Sequence, residues 1–169
     1  MLVEQAVRGD GDSFTELCRR YYGPMVAIGH AILGDRHLAE DAVQEAFAKA
    51  AVHLPRLRKP EQFGSWLATI CRNEARNLAR TRRASRSDGE SPVQETPAGA
   101  DETGEAVKAA LNQLPAEARE VIFLRFYDGL SYDRISAVLG ISEQAINGRL
   151  RRAKQKLAEH LRRYGFIDF

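Results

Sequence analysis

The sequence predicts an all-α protein of two small helical domains joined by a flexible linker. Three observations support this fold class. Apolar residues recur at helical spacing along most of the chain, and no alternating β-branched stretch is long enough for a strand. A segment rich in Ser, Pro, Gly and acidic residues, "SRSDGESPVQETPAGADETG", lies between two such helical regions. That composition is typical of a flexible linker.

The N-terminal domain is predicted to cover residues 1–83 and to contain four helical stretches. Ser13 is a candidate cap for the first, and Gly23-Pro24 is expected to interrupt or kink it. The two prolines of "LPRLRKPEQ" predict an ordered loop before the last stretch. The stretches are expected at Ser13 to Gly23, Met25–Leu33, about Arg36 to about Leu54, and about Phe63 to about Arg83.

The linker is predicted at residues 84–103 and the C-terminal domain at 104–169. Proline at a helix start and glycine just beyond a helix end delimit its helices. The C-terminal domain is predicted to contain a helix-turn-helix. Its expected helices are Glu105–Leu114, Pro115–Tyr127 with Gly129 behind it, Ser131–Leu139 closed by Gly140, and Ser142 to about Tyr164.

Charge is unevenly distributed, although the formal net charge is only +2. Residues 61–87 carry six Arg against two Glu. Residues 88–107 carry six acidic residues and no basic one, and residues 141–169 carry seven basic and three acidic residues. Two basic segments separated by an acidic one indicate a polyanionic partner such as nucleic acid.

Several classes of function find no support in the sequence. Cys18 and Cys71 are too few and too isolated for a disulfide framework or a zinc site, and are interpreted as apolar filler. No phosphate loop, metalloprotease motif or nucleophile elbow occurs, so we expect no enzyme activity, catalytic residue, metal or cofactor. Without a membrane-length apolar run or a signal peptide, the sequence predicts a cytoplasmic protein that does not insert into membranes.

The stretch Gly129–Leu157 has the pattern of a helix-turn-helix, with a short helix, a glycine turn and a longer basic helix. Gln144 and Asn147 on the outer face can pair with adenine, and Arg151 with guanine. A solvated helix that closes a bundle is the alternative. The turn and the cap at Ser142 favour DNA binding, with phosphate contacts from Arg149, Arg152, Lys154 and Lys156.

Two further amphipathic stretches lie upstream. In Phe63–Arg83 an apolar stripe that includes Trp66 opposes a basic and amide-bearing face, which suits a nucleic-acid strand but equally a solvated surface. In Gly34–Ala50 an acidic face with Glu40, Asp41 and Glu45 is a candidate docking surface for a basic partner. Taken alone, such a face is usually only solvated.

In this order, the three motifs resemble bacterial RNA polymerase sigma factors of the small, two-domain extracytoplasmic-function group. "AEDAVQEAF" is similar to the family's core-polymerase-binding helix, and "FGSWLATICRNEARNLAR" to its −10 promoter helix. The stretch Leu114–Leu157 resembles its −35-binding domain. The resemblance implies a transcription initiation factor whose partners are core RNA polymerase, promoter DNA and an anti-sigma factor, with no cofactor.

The resemblance also implies three sets of site residues. Those for core polymerase are Glu40, Asp41, Gln44, Glu45 and Phe47. Those for the melted −10 strand are Arg56, Lys59, Gln62, Arg72, Asn73, Arg76, Asn77 and Arg80. Those for the −35 major groove are Ser142, Glu143, Gln144, Asn147, Gly148, Arg149, Arg151, Arg152 and Lys154.

Two other functions remain open from the sequence. A sigma-like mimic that sequesters an anti-sigma factor would have no need of the basic residues on the two predicted DNA faces. A stand-alone repressor would bind a palindrome as a dimer, and the acidic docking helix and the single recognition helix argue against it.

Overall fold

The computed structural model describes residues 1–86, 102–163 and 165, and within these ranges every regular element is helical. The all-α prediction is therefore confirmed. No helix of the described chain is long and apolar enough to cross a membrane. The helices are α1 (Leu2–Val7), α2 (Gly11–Leu33), α3 (Arg36–His53), α4 (Phe63–Arg86), α5 (Glu102–Asn112), α6 (Ala116–Ile122), α7 (Tyr132–Leu139) and α8 (Glu143–Arg163).

In the N-terminal part, α2, α3 and α4 pack together around small side chains. One face of α3 carries four buried alanines, and Gly29 of α2 faces the first of them, Ala39. A Cβ atom at Gly29 would lie 3.1 Å from that of Ala39. Small residues along a crossing allow two helix backbones to approach closely, which explains the alanine-rich pattern.

The start of α2 differs from the prediction. Asp10, rather than Ser13, is the N-cap, and its Oδ1 accepts a hydrogen bond from the Asp12 N–H at 3.3 Å. Ser13 lies inside the first turn, where its hydroxyl donates to Asp10 Oδ2 and to Gln5 Oε1. Asp and Ser are comparably good caps, so the contact with Gln5 of α1 helps to select Asp10.

Of the predicted interruption or kink at Gly23-Pro24, the interruption is wrong, because α2 continues through both residues, whereas the kink stays a prediction. A proline inside a helix removes one backbone hydrogen bond and costs about 3 kcal/mol. Pro24 is buried and the five residues that follow it, Met25–Gly29, are all buried as well. The burial of this segment against α3 and α4 offsets the cost that the local sequence indicates.

The C-terminal part is formed by α5 to α8. Pro115 is the N-cap of α6 rather than its first residue, and the helix passes into a five-residue π-helical turn, Phe123–Tyr127. The Asp128 N–H bonds to the carbonyl of Phe123 at 3.0 Å, which is the i→i−5 pattern. A π-turn shifts the side chains that follow it around the helix, and both Phe123 and Tyr127 contact the ring of His30 in α2.

The two parts of the chain share one continuous hydrophobic core. Helix α2 contacts α6 and the π-turn, and α4 contacts α7. Residues 87–101, most of the predicted linker, lie outside the described residues, whereas 84–86 form the end of α4 and 102–103 the start of α5. The predicted domain boundaries stay predictions, and the packing between the two parts was not predicted.

We expect stability to fall as the pH is lowered through about 6.5, partly because of His30. Burial lowers the pKa of His30, Arg36 and Lys108 lower it further, and Asp35 opposes them. The unfolded chain therefore takes up a proton at a pH where folded His30 stays neutral, which favours unfolding. Melting temperatures between pH 8 and pH 5.5 should fall less for His30→Leu than for wild type or for His37→Gln, and equal slopes would contradict this.

Candidate nucleic-acid interface

The helix-turn-helix is closed by short-range hydrogen bonds at its turn. Gly140 ends α7 with a φ of 67°, a left-handed conformation that favours glycine, and its N–H bonds to the Ser136 carbonyl at 2.8 Å. The Ser142 hydroxyl accepts from the Ala145 N–H at 3.2 Å and so caps the start of α8. Both predicted roles, the glycine turn and the serine cap, are confirmed.

The packing of α7 on α8 determines which face of α8 is free. Ile146 and Leu150 of α8 are buried with Ile135 and Val138 of α7. The residues on the opposite side of the first turns are therefore exposed. They are Glu143, Gln144, Asn147 and Arg151, and Gly148 at their edge is partly exposed.

The basic residues farther along α8 differ in their surroundings. Arg149 is partly buried and pairs with Glu117 of α6 at 3.3 Å. Lys154 lies over the ring of the exposed Phe126, with its Nζ 4.9 Å from the ring centroid. Arg151 and Arg152 are exposed and make no ion pair within the described chain. The guanidinium groups of these last two residues are therefore accessible to a phosphate or a base.

The loop before α4 presents Arg56, Lys59 and Gln62 to solvent. Two 3₁₀ turns, Leu54–Arg56 and Pro60–Gln62, hold it, and both contact α1. The loop is ordered, as its two prolines predict. From Gln62 to Arg80 the surface extends for about 27 Å along α4 at 1.5 Å per residue.

Four of the residues predicted for the −10 strand line one open groove. The groove has a volume of about 860 Å³ and lies between α4 and the start of α6. On the α4 side it is lined by Asn73, Arg76, Asn77, Arg80 and Arg83, together with Glu74 and Ala79. Three arginines and two amides along one helix face can hold phosphates and bases of a single strand.

Arg72 is placed differently from these neighbours. Its Nε and Nη2 donate to the two carboxylate oxygens of Glu120 in α6, at 2.8 and 3.1 Å. The Arg72 side chain is 20% exposed and that of Glu120 only 3%. The sequence predicts that Arg72 contacts DNA, whereas here its guanidinium is engaged by a carboxylate from the other half of the chain.

Sequence reasoning missed Glu120 and Arg119, which both lie on α6 beside the −10 residues. Arg119 lines the groove next to α4, and its buried Nε has no hydrogen-bond partner among the described residues. Glu120 stands one turn before Leu124 on the inward face of the helix. An acidic residue on an apolar stripe is a signal of a buried ion pair, although the partner cannot be named from the sequence.

The acidic face of α3 is mostly free. Asp41, Gln44 and Glu45 are exposed, and Glu45 lies 3.7 Å from Lys49, which pairs more closely with Glu74. Glu40 bonds to Arg36 at 3.0 Å, and Arg36 also bonds to the hydroxyl of Tyr127. Phe47 packs partly buried against the core. Three of the five residues predicted for docking thus form a free surface.

Family models match both halves of the chain. The sigma-70 region 2 model matches residues 17–85, which include α3, the loop and nearly all of α4. The sigma-70 region 4 model matches residues 104–157, which include the helix-turn-helix.

Relatives that match nearly the whole chain carry the same assignment. The RNA polymerase sigma-H factor of Pseudomonas aeruginosa is 32% identical over 177 residues, covering 95% of this chain and 92% of that protein. The extracytoplasmic-function sigma-E factor of Escherichia coli is 31% identical and covers 93% and 91%.

Solved structures agree. CnrH in complex with the cytosolic domain of CnrY matches with a TM-score of 0.64 and 30% identity, over 95% of this chain and 94% of that one. RpoE in complex with the anti-sigma factor NepR from Bartonella quintana matches with a TM-score of 0.58 and 27% identity, over 88% and 96%. The chain therefore belongs to the sigma-70 family of RNA polymerase sigma factors, in its extracytoplasmic-function group.

Proposed function

We propose that this sigma factor directs RNA polymerase to promoters through three separate surfaces. The exposed acidic face of α3 binds core polymerase, the loop and the outer face of α4 hold the melted −10 strand, and the first turns of α8 contact the −35 element. The helix-turn-helix is the observation that carries the proposal, because its packing leaves one polar face of α8 exposed.

Sequence recognition at the −35 element is assigned to the start of α8. A recognition helix inserts its N-terminal residues into the major groove, where amide side chains pair with adenine and arginine with guanine. Gln144, Asn147 and Arg151 are exposed on one face and supply both chemistries. Ser142, Glu143, Gly148, Arg149, Arg152 and Lys154 complete this proposed surface, mainly through contacts to the phosphate backbone.

The −10 surface is assigned to the loop and α4. Its groove residues Asn73, Arg76, Asn77 and Arg80 combine positive charge with amide groups, a pairing suited to an unpaired strand. Arg56, Lys59 and Gln62 extend the surface at the start of α4, and Arg72 joins it when it is free of Glu120. Trapping a strand in this way needs binding energy alone.

Polymerase binding is assigned to α3, with Asp41, Gln44 and Glu45 as the contact residues. Glu40 and Phe47 support that face, since one bonds to Arg36 and the other packs into the core. Complementary charge raises association rates and excludes wrong partners.

Both proposed DNA surfaces belong to a single chain. When one surface is bound to the promoter, the effective concentration of the other surface at its own element is therefore raised.

We also propose an anti-sigma factor as a regulatory partner and the cytoplasm as the site of action. The similar structure of RpoE contains the anti-sigma factor NepR, and that of CnrH contains the cytosolic domain of CnrY. Core polymerase and promoter DNA are the targets of this family, and both are cytoplasmic in bacteria.

Reconstituted transcription tests this function. The purified full-length chain with core polymerase should yield discrete promoter-dependent transcripts from genomic DNA of the source bacterium, whereas core polymerase alone should not. A complex with core polymerase that starts no specific transcript from any template would contradict promoter selection. A chain that binds an anti-sigma factor but neither polymerase nor DNA would be the mimic, although the exposed Arg76, Arg80, Arg151 and Arg152 favour DNA binding.

A further inference from the structure

Two buried nitrogen atoms without a hydrogen-bond partner line the same cavity. The cavity has a volume of about 310 Å³ and lies where α2 meets α5 and α6. Among the described side chains, the buried nitrogen and oxygen atoms that lack a partner are His30 Nδ1 and Arg119 Nε. Both residues line this cavity. Because it is costly to leave a buried polar atom unpaired, a group that pairs with both atoms would be stabilised there.

The charged side chains of the cavity are positive. Lys108 and Arg119 line it, and no carboxylate is among the described lining residues. The hydrogen bond that Arg119 makes within the described chain is a long one, from its Nη1 to Asn112 Oδ1 at 3.5 Å. Burial lowers the pKa of Arg119, since its charged form loses water. Asp35 acts on His30 by charge, but Asp35 caps α3 and does not line the cavity. An anion would therefore be favoured in the cavity.

Much of the remaining wall is apolar. The rings of Phe123 and His30 meet edge to face with centroids 4.8 Å apart, and the Tyr127 ring lies 5.7 Å from the same imidazole. Aliphatic side chains of α2 and α5 extend this surface, namely Ala31, Val107 and Leu111. A hydrocarbon or aromatic group placed between these side chains would be removed from water, which favours binding.

The cavity opens to solvent beside two glycines. Gly34 and Gly104 both line it, and apart from the adjoining chain a Cβ atom at either one would meet no atom within 4 Å. Val107, one turn after Gly104 on α5, is 37% exposed. A ligand can therefore reach the cavity from solvent on this side.

We propose that this cavity binds a small organic carboxylate with an aromatic body. The carboxylate accepts hydrogen bonds from Arg119 and from the Nδ1–H of His30, and Lys108 adds positive charge at the rim. The aromatic body packs against Phe123 and Tyr127. Small-molecule sites have volumes of about 300–1,000 Å³, so a cavity of about 310 Å³ suits a ligand of one or two rings.

This inference goes beyond the proposed function. None of the residues assigned to this cavity belongs to the three surfaces proposed for polymerase and DNA. Its test needs neither polymerase nor DNA, so its failure would leave the proposed function intact.

Calorimetric titration of the full-length chain tests the site with three probes of increasing size: benzoate, cinnamate and 2-naphthoate. At least one should bind saturably, at one site per chain, with a Kd of about 100 μM or below. The neutral amide of the same probe should bind about tenfold more weakly, because it cannot form charge-assisted hydrogen bonds. If none of the three acids binds saturably at millimolar concentration, or if acid and amide bind equally, the proposal is overturned.

Arg119→Met tests the pairing with the carboxylate. Methionine keeps part of the aliphatic stem and removes the guanidinium group, so the acid should bind about tenfold more weakly while the affinity for the amide stays the same. Arg162→Met removes the same charge at an exposed position in the last turn of α8 and should bind like wild type. Equal affinity of the two variants for the acid would contradict the assigned role of Arg119.

Val107→Trp tests the location of the probe and leaves every charge in place. The larger ring should obstruct the opening and abolish binding of both the acid and the amide. Val52→Trp is the matched control, since Val52 lies on α3, outside the cavity lining, and is 72% exposed. Because both positions are exposed, neither change should disturb the fold. A probe that binds both tryptophan variants equally lies elsewhere, which would refute the site.

The imidazole of His30 gives a direct readout in the wild-type chain. Addition of the probe should shift the ring resonances of His30 in the NMR spectrum, whereas those of the exposed His53 on α3 should not move. His30→Leu identifies the His30 signals by their loss. Saturable binding that leaves the His30 resonances in place would contradict the proposed contact.

Discussion

Glu45→Lys is expected to weaken binding of the chain to core RNA polymerase by about 100-fold, or about 3 kcal/mol. The substitution reverses the charge at the centre of the proposed docking face of α3, and opposing like charges across an interface costs this much. The Glu45 side chain is 59% exposed, so the fold should be unaffected. Lys49 keeps its closer partner Glu74, 2.6 Å away.

A binding titration with labelled core polymerase measures the effect, and Glu4→Lys is the matched control. Glu4 lies on α1, outside the proposed surfaces, and its side chain is 53% exposed, so the same charge is added at similar exposure. The binding of single-stranded DNA by the free Glu45→Lys chain should match that of the control. If the two variants bind polymerase equally well, α3 is not the docking helix.

Arg151→Ala is expected to weaken promoter binding by about 1–3 kcal/mol, roughly 5- to 150-fold, and to relax the preference at one base pair of the −35 element. Arg151 is exposed on the same face of α8 as Gln144 and Asn147, and no ion pair within the described chain holds it. An arginine in that position pairs with the O6 and N7 of guanine.

The assay uses the assembled holoenzyme and a set of promoters that differ at each −35 base pair. Arg162→Ala removes the same charge from the last turn of α8, outside the proposed surface, and should have little effect. An equal loss on every promoter in the Arg151→Ala enzyme would identify a phosphate contact, because phosphate contacts carry no sequence information.

Features that depend on neighbouring residues could be predicted from the sequence. The turn at Gly140 and the cap at Ser142 follow from backbone and side-chain preferences within three or four residues, and both are confirmed. The free faces of α3 and α8 follow from the helical period, which determines which side each apolar stripe leaves exposed. The family resemblance rested on the same short motifs.

Predictions made from local sequence preferences were wrong where contacts with distant residues changed the free energy of a local conformation. Pro24 stays inside α2 because the residues around it are buried against α3 and α4, and Asp10 caps α2 with Ser13 bonded to Gln5. The π-turn Phe123–Tyr127 directs two aromatic rings towards His30 of the other half. A pattern within one helix contains no information about these partners.

The sequence by itself determined the helical fold class, the helix-turn-helix and the faces of α3 and α8 that stay exposed, because each is set by local period and composition. Only the tertiary structure decided what Arg72 contacts. Its position on the basic face of α4 predicts a DNA contact, whereas the approach of α6 gives it Glu120 as a partner, 48 residues away in the chain. The physical reason is that the packing of the two parts of the chain around one core brings together charges that are far apart in the sequence.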